Sequence, residues 1–509
     1  MKKIQLLFLT FLIPIVSFAQ EKGLDQRIDE AFAPISNFFS KTVFFEIAGY
    51  PFVILLLIGS AAFFTVYFGF PNLRYFSTAI NVVRGKYDDV EKSDSDSNDG
   101  EVSHFQALAT AVSGTVGNGN IAGVALAIAL GGPGATFWMI ICGLIGMSSK
   151  FVECTLGVQY RDVGDDGTIY GGPMYYLTKG LKEKGFKTLG KVAAVFFAIF
   201  CIGGSFGGGN AAQSNQATIV LKQLLGLEST SAGAVIGLVM AILVGIIIIG
   251  GIKRIASVTE KIVPFMALLY LIACLYILGV NFSLVDDAIS LIIKEAFNPT
   301  AMGVGGFIGV LMVGFKRAAF SNEAGVGSAS IAHSAVKTKY SASEGLVALL
   351  EPFIDTVVIC TMTALVIIIF NFGGFFEYGG DGMGTVLIDG VPYEGAGITS
   401  KAFAEYIPYS GVFLTIAVVL FAVSTMISWS YYGLQSWKYL FGRGRIADLT
   451  YKLIFCMFVI IGSAASMSSI WDFSDAMIFA MVFPNMVGLF FLFPVVKEQL
   501  NKYLEAIKS

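Results

Sequence analysis

Long apolar runs separated by short polar connectors set the pattern of this chain. They lie near residues 48–70, 104–130, 134–160, 191–221, 232–251, 262–280, 301–333, 345–371, 409–434, 451–469 and 474–495. About 20 apolar residues in a helix cross a hydrocarbon core of about 30 Å. The runs carry no period-two alternation, so the pattern predicts an all-α integral membrane protein of about 11 transmembrane helices rather than an outer-membrane barrel. Ahead of them stand Met1, Lys2 and Lys3, an apolar stretch over 4–16 and then Ser17, Phe18 and Ala19. This order of charge, core and small residues predicts a signal peptide over 1–19, cleaved after Ala19. An external segment over 20–47, a transmembrane domain over 48–496 and a cytoplasmic tail over 497–509 complete the expected organisation.

Basic residues stay on the cytoplasmic side of a membrane. With the mature amino terminus outside and the carboxyl terminus inside, the loops between spans place only Lys222, Lys294 and Lys401 outside. The remaining loop lysines and arginines fall inside, which supports span count and orientation together. The acidic stretch over 87–101 has no apolar period and reads as a disordered cytoplasmic loop. The glycine-rich outer segment over 371–409 is open between a small hairpin and a partial lid.

Two spans cannot be continuous helices of ordinary kind. The second contains Ser113, Gly114, Thr115, Val116, Gly117, Asn118, Gly119 and Asn120, and the seventh contains Gly314 and then Ser321, Asn322, Glu323, Ala324, Gly325, Val326 and Gly327. Small residues also let helices pack closely, but two such runs, each with Asn and hydroxyl side chains, favour broken helices. Irregular backbone at membrane depth is tolerated where it is buried in protein or lines a cavity. Setting the first span aside leaves ten, and the broken spans open each group of five, repeat A over about 104–280 and repeat B over about 301–495. Because five is odd, the groups run in opposite directions, the arrangement of an inverted-repeat transporter. Unwound backbone offers N–H groups to a carboxylate and carbonyls to a cation. The N–H groups of Asn118, Gly119 and Asn120 are therefore candidates for a zwitterion's carboxylate, and the carbonyls of Ser113, Thr115 and Val116 for sodium.

Composition narrows the choice further. Of 509 residues 55% are hydrophobic and only 14% charged, where a soluble protein has about a quarter. A net charge of -3 leaves no basic face for nucleic acid. The six cysteines lie in apolar runs without a CxxC pair, and His104 and His333 alone cannot form a metal site. No HExxH or GxxxxGK[ST] run indicates an enzyme, and no cofactor is expected beyond a coupling ion. Repeated filter loops of a channel are likewise missing, which disfavours a channel or a non-transporting receptor.

Ionisable groups inside spans are costly and call for a role. Glu351 and Asp355 are spaced to share a helix face, Glu323 follows Lys316 and Arg317, and Lys150 precedes Glu153. These groups read as gates or as structural ion pairs, and Glu323, Glu153 and Asp355 are the candidates should protons drive the cycle.

The blocks over 117–125, 131–135, 171–176, 213–215, 320–325 and 429–433 resemble the alanine or glycine:cation symporters, the sodium:alanine/glycine symporter family. They follow the family's order over nearly all of the mature chain. The resemblance implies a LeuT-like fold of five plus five helices with an extra leading helix, in a bacterial plasma membrane. It implies uptake of alanine or glycine driven by sodium, with no partner other than substrate, ion and lipid. By the same resemblance Gln213 reaches the substrate, while Phe320 and Trp429 bound its side-chain pocket. One sodium is expected between the carbonyls of Ser113 and Val116 and the hydroxyls of Ser424 and Thr425, and a second at Thr115 and Asn120. Asn118 departs from the family pattern, where Thr is more usual.

Overall fold

Every one of the eleven apolar runs has a helical counterpart in the computed structural model, which describes residues 24–91, 100–165, 167–229, 231–298, 306–379, 382 and 384–508. The expected signal peptide lies outside the described residues. The first span is Phe52–Tyr67. The second is a pair, His104–Thr115 and Gly119–Gly131, bent by 50° at its break. The third to sixth are Gly134–Gln159, Lys187–Leu225, Ala232–Ile248 and Gly251–Val280. The seventh is again broken, into Gly306–Asn322 and Ala329–His333. Ser341–Asn371, Ser410–Phe441, Arg445–Ala464 and Met467–Ala506 complete the set.

The last span runs on through most of the expected tail, because Leu500 and Tyr503 are buried against the body of the protein. The segment expected outside the membrane is itself helical over Leu24–Val43. Its Phe32 meets Phe473 edge-on at 5.0 Å, its Asp25 pairs with Lys222 at 3.2 Å, and Asp29 accepts hydrogen bonds from Ser466.

Cross-contacts define two ends of the bundle. At one, Val102 bridges Val336, Arg161 donates to the carbonyls of Ser334 and Val336, and Tyr503 donates to Glu91. This is the end that carries most of the loop lysines and arginines, and we call it the basic end. At the opposite end Trp138 donates to the carbonyl of Ala296, and the backbone of Ala396 to Gln216.

Two connectors take definite form. Of the stretch read as disordered, residues 92–99 lie outside the described ones, but Asp88–Glu91 is a helical turn and Glu91 is buried. A carboxylate with several donors aimed at it orders a stretch that otherwise lacks apolar anchors. The outer segment over 371–409 is both hairpin and lid. Val386–Ile388 pairs with Val391–Tyr393, and the helix Ala396–Tyr406 descends far enough for Thr399 to donate to the carbonyl of Ile121 beside the second-span break.

The helices that form are those their sequences favour locally. A capping box of Ser103 and Gln106 starts the second span, satisfying orphan N–H groups at its first turn. Ile242, Leu268, Leu275 and Tyr276 of the fifth and sixth spans are exposed, an apolar face of the kind that lipid covers. Gly314, part of the run read as a break, instead lies inside a continuous helix. A Cβ there would approach the carbonyl of Ala135 to 2.6 Å, so this glycine serves close packing of the seventh span on the third.

Candidate functional site

The two breaks meet. A Cβ on Gly119 of the second span would lie 3.4 Å from Ser321 of the seventh. Between them and the fourth, ninth and eleventh spans is a small cavity of about 10 Å³ lined by Thr115, Gly119, Gln213, Phe320, Glu323, Trp429 and Ile478, with Gly114, Gly208 and Ser321. That is room for roughly one water. Of the six residues expected to bind substrate, Gly119, Gln213, Phe320 and Trp429 reach this space. Asn118 and Asn120 sit behind it.

The fourth span delivers Gln213 through a π-helical turn, Gly207–Ala211. At Gly209 a Cβ would fall 2.1 Å from Cγ of Trp429, so only glycine leaves room for Trp429 at this backbone. Gln213 is fixed at both ends of its amide. Its Oε1 accepts from the backbone N–H of Asn118 at 3.0 Å, and its Nε2 donates to the carbonyl of Gly208 at 2.9 Å. The N–H of Asn118, expected to face a carboxylate, is thus held by protein, as is that of Asn120 by the carbonyl of Gly117 at 3.1 Å. The side-chain Oδ1 of Asn118 is buried and has no hydrogen-bond partner among the described residues.

Glu323 opens the seventh-span break in a left-handed conformation with φ of 55°, a costly setting for a non-glycine residue. One of its carboxylate oxygens accepts the indole N–H of Trp429 at 2.9 Å, and the other accepts the hydroxyl of Ser328. Neither Lys316 nor Arg317 meets it. Both pair with Asp475 of the last span, Lys316 at 2.8 Å. Glu323, which follows these two bases in the sequence, lies past the end of their helix at Asn322, where the break turns the chain away. Above the cavity Phe320 stacks on Trp471 at 5.0 Å, and the Arg317 guanidinium lies 5.7 Å and 5.4 Å from the two ring centres. Arg317, Asp475 and the two rings close the cavity toward the end opposite the basic one.

The first expected ion site is brought together. The Ser113 hydroxyl donates to the carbonyl of Ser424 at 2.8 Å, and the Thr425 hydroxyl donates to the carbonyl of Ser113 at 3.0 Å. A Cβ on Gly117 would strike Oγ1 of Thr425 at 2.4 Å, so Thr425 presses directly on the unwound backbone. The Ser424 hydroxyl turns back to the carbonyl of Phe421 at 3.0 Å, and Val116 is buried at the end of the half-helix.

At the second expected site the two residues part company. The Thr115 hydroxyl bonds back to carbonyls of its own helix, whereas Asn120 reaches the eighth span. Its Nδ2 lies 2.6 Å from Oδ1 of Asp355, which also accepts the hydroxyl of Ser321 at 3.1 Å. Thr356 donates to the other carboxylate oxygen at 2.7 Å. Asp355 is fully buried, and among the described residues no Lys, Arg or His lies within ion-pair distance of it. Sequence reasoning placed Asp355 among the gates and overlooked Ser321, although the serine stands next to Phe320 in the quoted block.

Asp355 also leaves the company of Glu351. A π-helical stretch, Phe353–Cys360, begins between their side chains and shifts the helix phase, which the four-residue spacing could not anticipate. Glu351 pairs with Lys150 at 3.0 Å, Lys150 lies 3.9 Å from Glu153, and Glu153 accepts from Asn485 at 3.2 Å. These three expected gate residues form a buried cluster on the basic-end side of the cavity.

Comparison with known proteins follows the same lines. The model of the sodium:alanine symporter family matches residues 35–509. A sodium/alanine symporter of Methanococcus maripaludis, AgcS, is 39% identical over 460 residues, 90% of this chain and 95% of its own. The amino-acid carrier protein AlsT of Bacillus subtilis is 33% identical over 456 residues, 89% of this chain and 90% of its own. Among solved structures, MhsT in complex with L-phenylalanine superposes with a TM-score of 0.53 at 15% identity, covering 76% of this chain and 88% of that one. That likeness shows the fold, five plus five helices with a break opening each group.

Proposed function

Because the chain belongs to the sodium:alanine symporter family, we propose that it imports alanine or glycine together with sodium by alternating access. It is a multi-pass membrane transporter of amino acids coupled to a cation, and not an enzyme. The basic end faces the cytoplasm of a bacterium across its plasma membrane, so the Arg317–Asp475 closure faces outside.

The observation that carries the sodium reading is Asp355. A carboxylate buried at this depth needs a compensating charge or a proton; the side chains that donate to it, Asn120 through its amide nitrogen and Ser321 and Thr356 through their hydroxyls, are neutral, and the two hydroxyl oxygens suit a hard cation. We place one sodium there and the other between Ser113, Val116, Ser424 and Thr425. A site so close to Ser321, Gly119 and the cavity lets the ion order both breaks before substrate seals them. Trp429, Phe320 and Ile478, apolar walls of the narrow cavity, suit a small apolar side chain.

Proton coupling is the second reading, favoured by Glu323, a buried carboxylate at the cavity wall whose partners are neutral. Binding of labelled alanine to purified protein in sodium, potassium and choline separates the readings. We expect binding in sodium only, with glycine competing and glutamine not. Equal binding in all three salts would overturn sodium coupling.

A further inference from the structure

A second constellation lies between the cavity and the basic end, outside the substrate and sodium sites. His104 is the first residue of the half-helix His104–Thr115, and His333 the last of the half-helix Ala329–His333. These are the two half-spans on the basic-end side of the breaks. The His104 ring stands between two carboxylates, its Nε2 2.6 Å from Glu91 and its Nδ1 bonded to Glu344. The other oxygen of Glu344 is 2.5 Å from Nδ1 of His333, whose Nε2 lies 3.5 Å from Glu351. Glu344 of the eighth span thus joins the two half-spans through one carboxylate. Beyond it the chain continues through Glu351 to Lys150 and Glu153, with Cys154 and Glu323 the neighbouring titratable groups. At the outer margin Glu91 accepts from Tyr503 at 2.7 Å, Thr338 at 2.9 Å and Ser343 at 3.2 Å.

Carboxylates can only accept hydrogen bonds. An imidazole with a carboxylate on each nitrogen needs two N–H groups, which only its charged form has, unless one of the acids keeps its own proton. His104 is in that position, and His333 has Glu344 bonded at Nδ1 with Glu351 at ion-pair distance from Nε2. Either way the assembled array holds protons, and it holds them where His333, Glu344, Glu351, Lys150 and Glu153 are wholly buried and only Glu91 and His104 touch the margin. A histidine parted from these carboxylates and wetted titrates near neutrality. The assembled state therefore binds more protons than the parted one, and by linkage acid favours assembly while rising pH favours parting. The ring nitrogens and acid oxygens face one another in pairs, and among the described residues no group of such side chains is arranged around a metal ion.

We propose that this array is a binding site for cytoplasmic protons that clasps the inner halves of both broken spans and lets them part as the cytoplasm turns alkaline. The proposal rests on the orientation given above and not on the identity of the substrate. Hydrogen–deuterium exchange of the purified protein in sodium, at pH 6.5 and 8.5 and corrected for the intrinsic pH dependence of amide exchange, tests it without any substrate. Residues 104–112 and 329–340 should exchange at least about five-fold faster at the higher pH, with the fifth span unchanged as internal control. In His104→Gln and His333→Gln the two pH values should agree within about two-fold. Equal protection of the wild-type segments at both pH values would overturn the proposal whatever the variants do. So would an undiminished pH response in folded variants, or loosening of the fifth span to the same degree.

Discussion

Replacing Asp355 by Asn removes one charge and almost nothing else. The side chain keeps its volume, and the amide oxygen can still accept from Ser321 and Asn120 on the side now occupied by Oδ1. Thr356 would lose an acceptor, worth about 1 kcal/mol of stability. The effect on a bound cation is larger. Two unit charges about 4 Å apart at an effective dielectric of about 20 attract by about 4 kcal/mol. With no basic side chain paired with Asp355, no other group takes over that term. Allowing about half of it for reorganisation gives 2–4 kcal/mol, or a roughly 30- to 1000-fold rise in the sodium concentration for half-maximal alanine binding. The assay is a sodium titration of labelled-alanine binding at fixed ionic strength, with size-exclusion and thermal profiles as folding controls. A half-saturating sodium concentration within about two-fold of wild type would refute the assignment. Asn resembles a protonated acid, so that result would mean Asp355 carries a proton where we place an ion.

Substitutions at three further positions probe the cavity and its closure. Gly209→Ala drives a methyl group to 2.1 Å from the indole of Trp429, and displacing that ring at a cost of about 1–3 kcal/mol should weaken alanine binding about ten-fold or more, with a shifted tryptophan emission as the structural readout. Glu323→Gln still accepts the indole N–H and should keep sodium-driven uptake within about three-fold, whereas Glu323→Ala, which frees the ring, should lose about ten-fold in alanine affinity. Loss of all uptake in Glu323→Gln, with binding intact, would speak for a proton at this position. Asp475→Asn leaves Lys316 and Arg317 facing a neutral group, so maximal uptake rate should fall about ten-fold while equilibrium binding of alanine stays within about three-fold.

The architecture was legible because membrane spans are written in runs of apolar residues and breaks in runs of small and polar ones. Both broken helices, the ten-helix grouping and the inverted order came from such local signals, and the cavity residues Gln213, Phe320 and Trp429 from short blocks of resemblance. What stayed hidden is non-local. Asp475 completes Arg317 from 158 residues away, and nothing in either segment names the other. The π-helical turns at Gly207–Ala211 and Phe353–Cys360 insert a residue into the helical repeat, so spacing arguments lose phase there. That is why Glu351 and Asp355, expected on one face, serve Lys150 on one hand and Asn120 on the other. His104 and His333 looked unremarkable for the same reason, since their meaning lies in Glu344, which only folding brings between them.

Coupling itself is most directly tested by uptake of labelled L-alanine into proteoliposomes of the purified protein under an inward sodium gradient, under equimolar potassium, and under an inward proton gradient without sodium. Accumulation above the external concentration with the sodium gradient alone is the expected result. Accumulation driven by the proton gradient in the absence of sodium would contradict the placement of sodium at Asp355 and at Thr425.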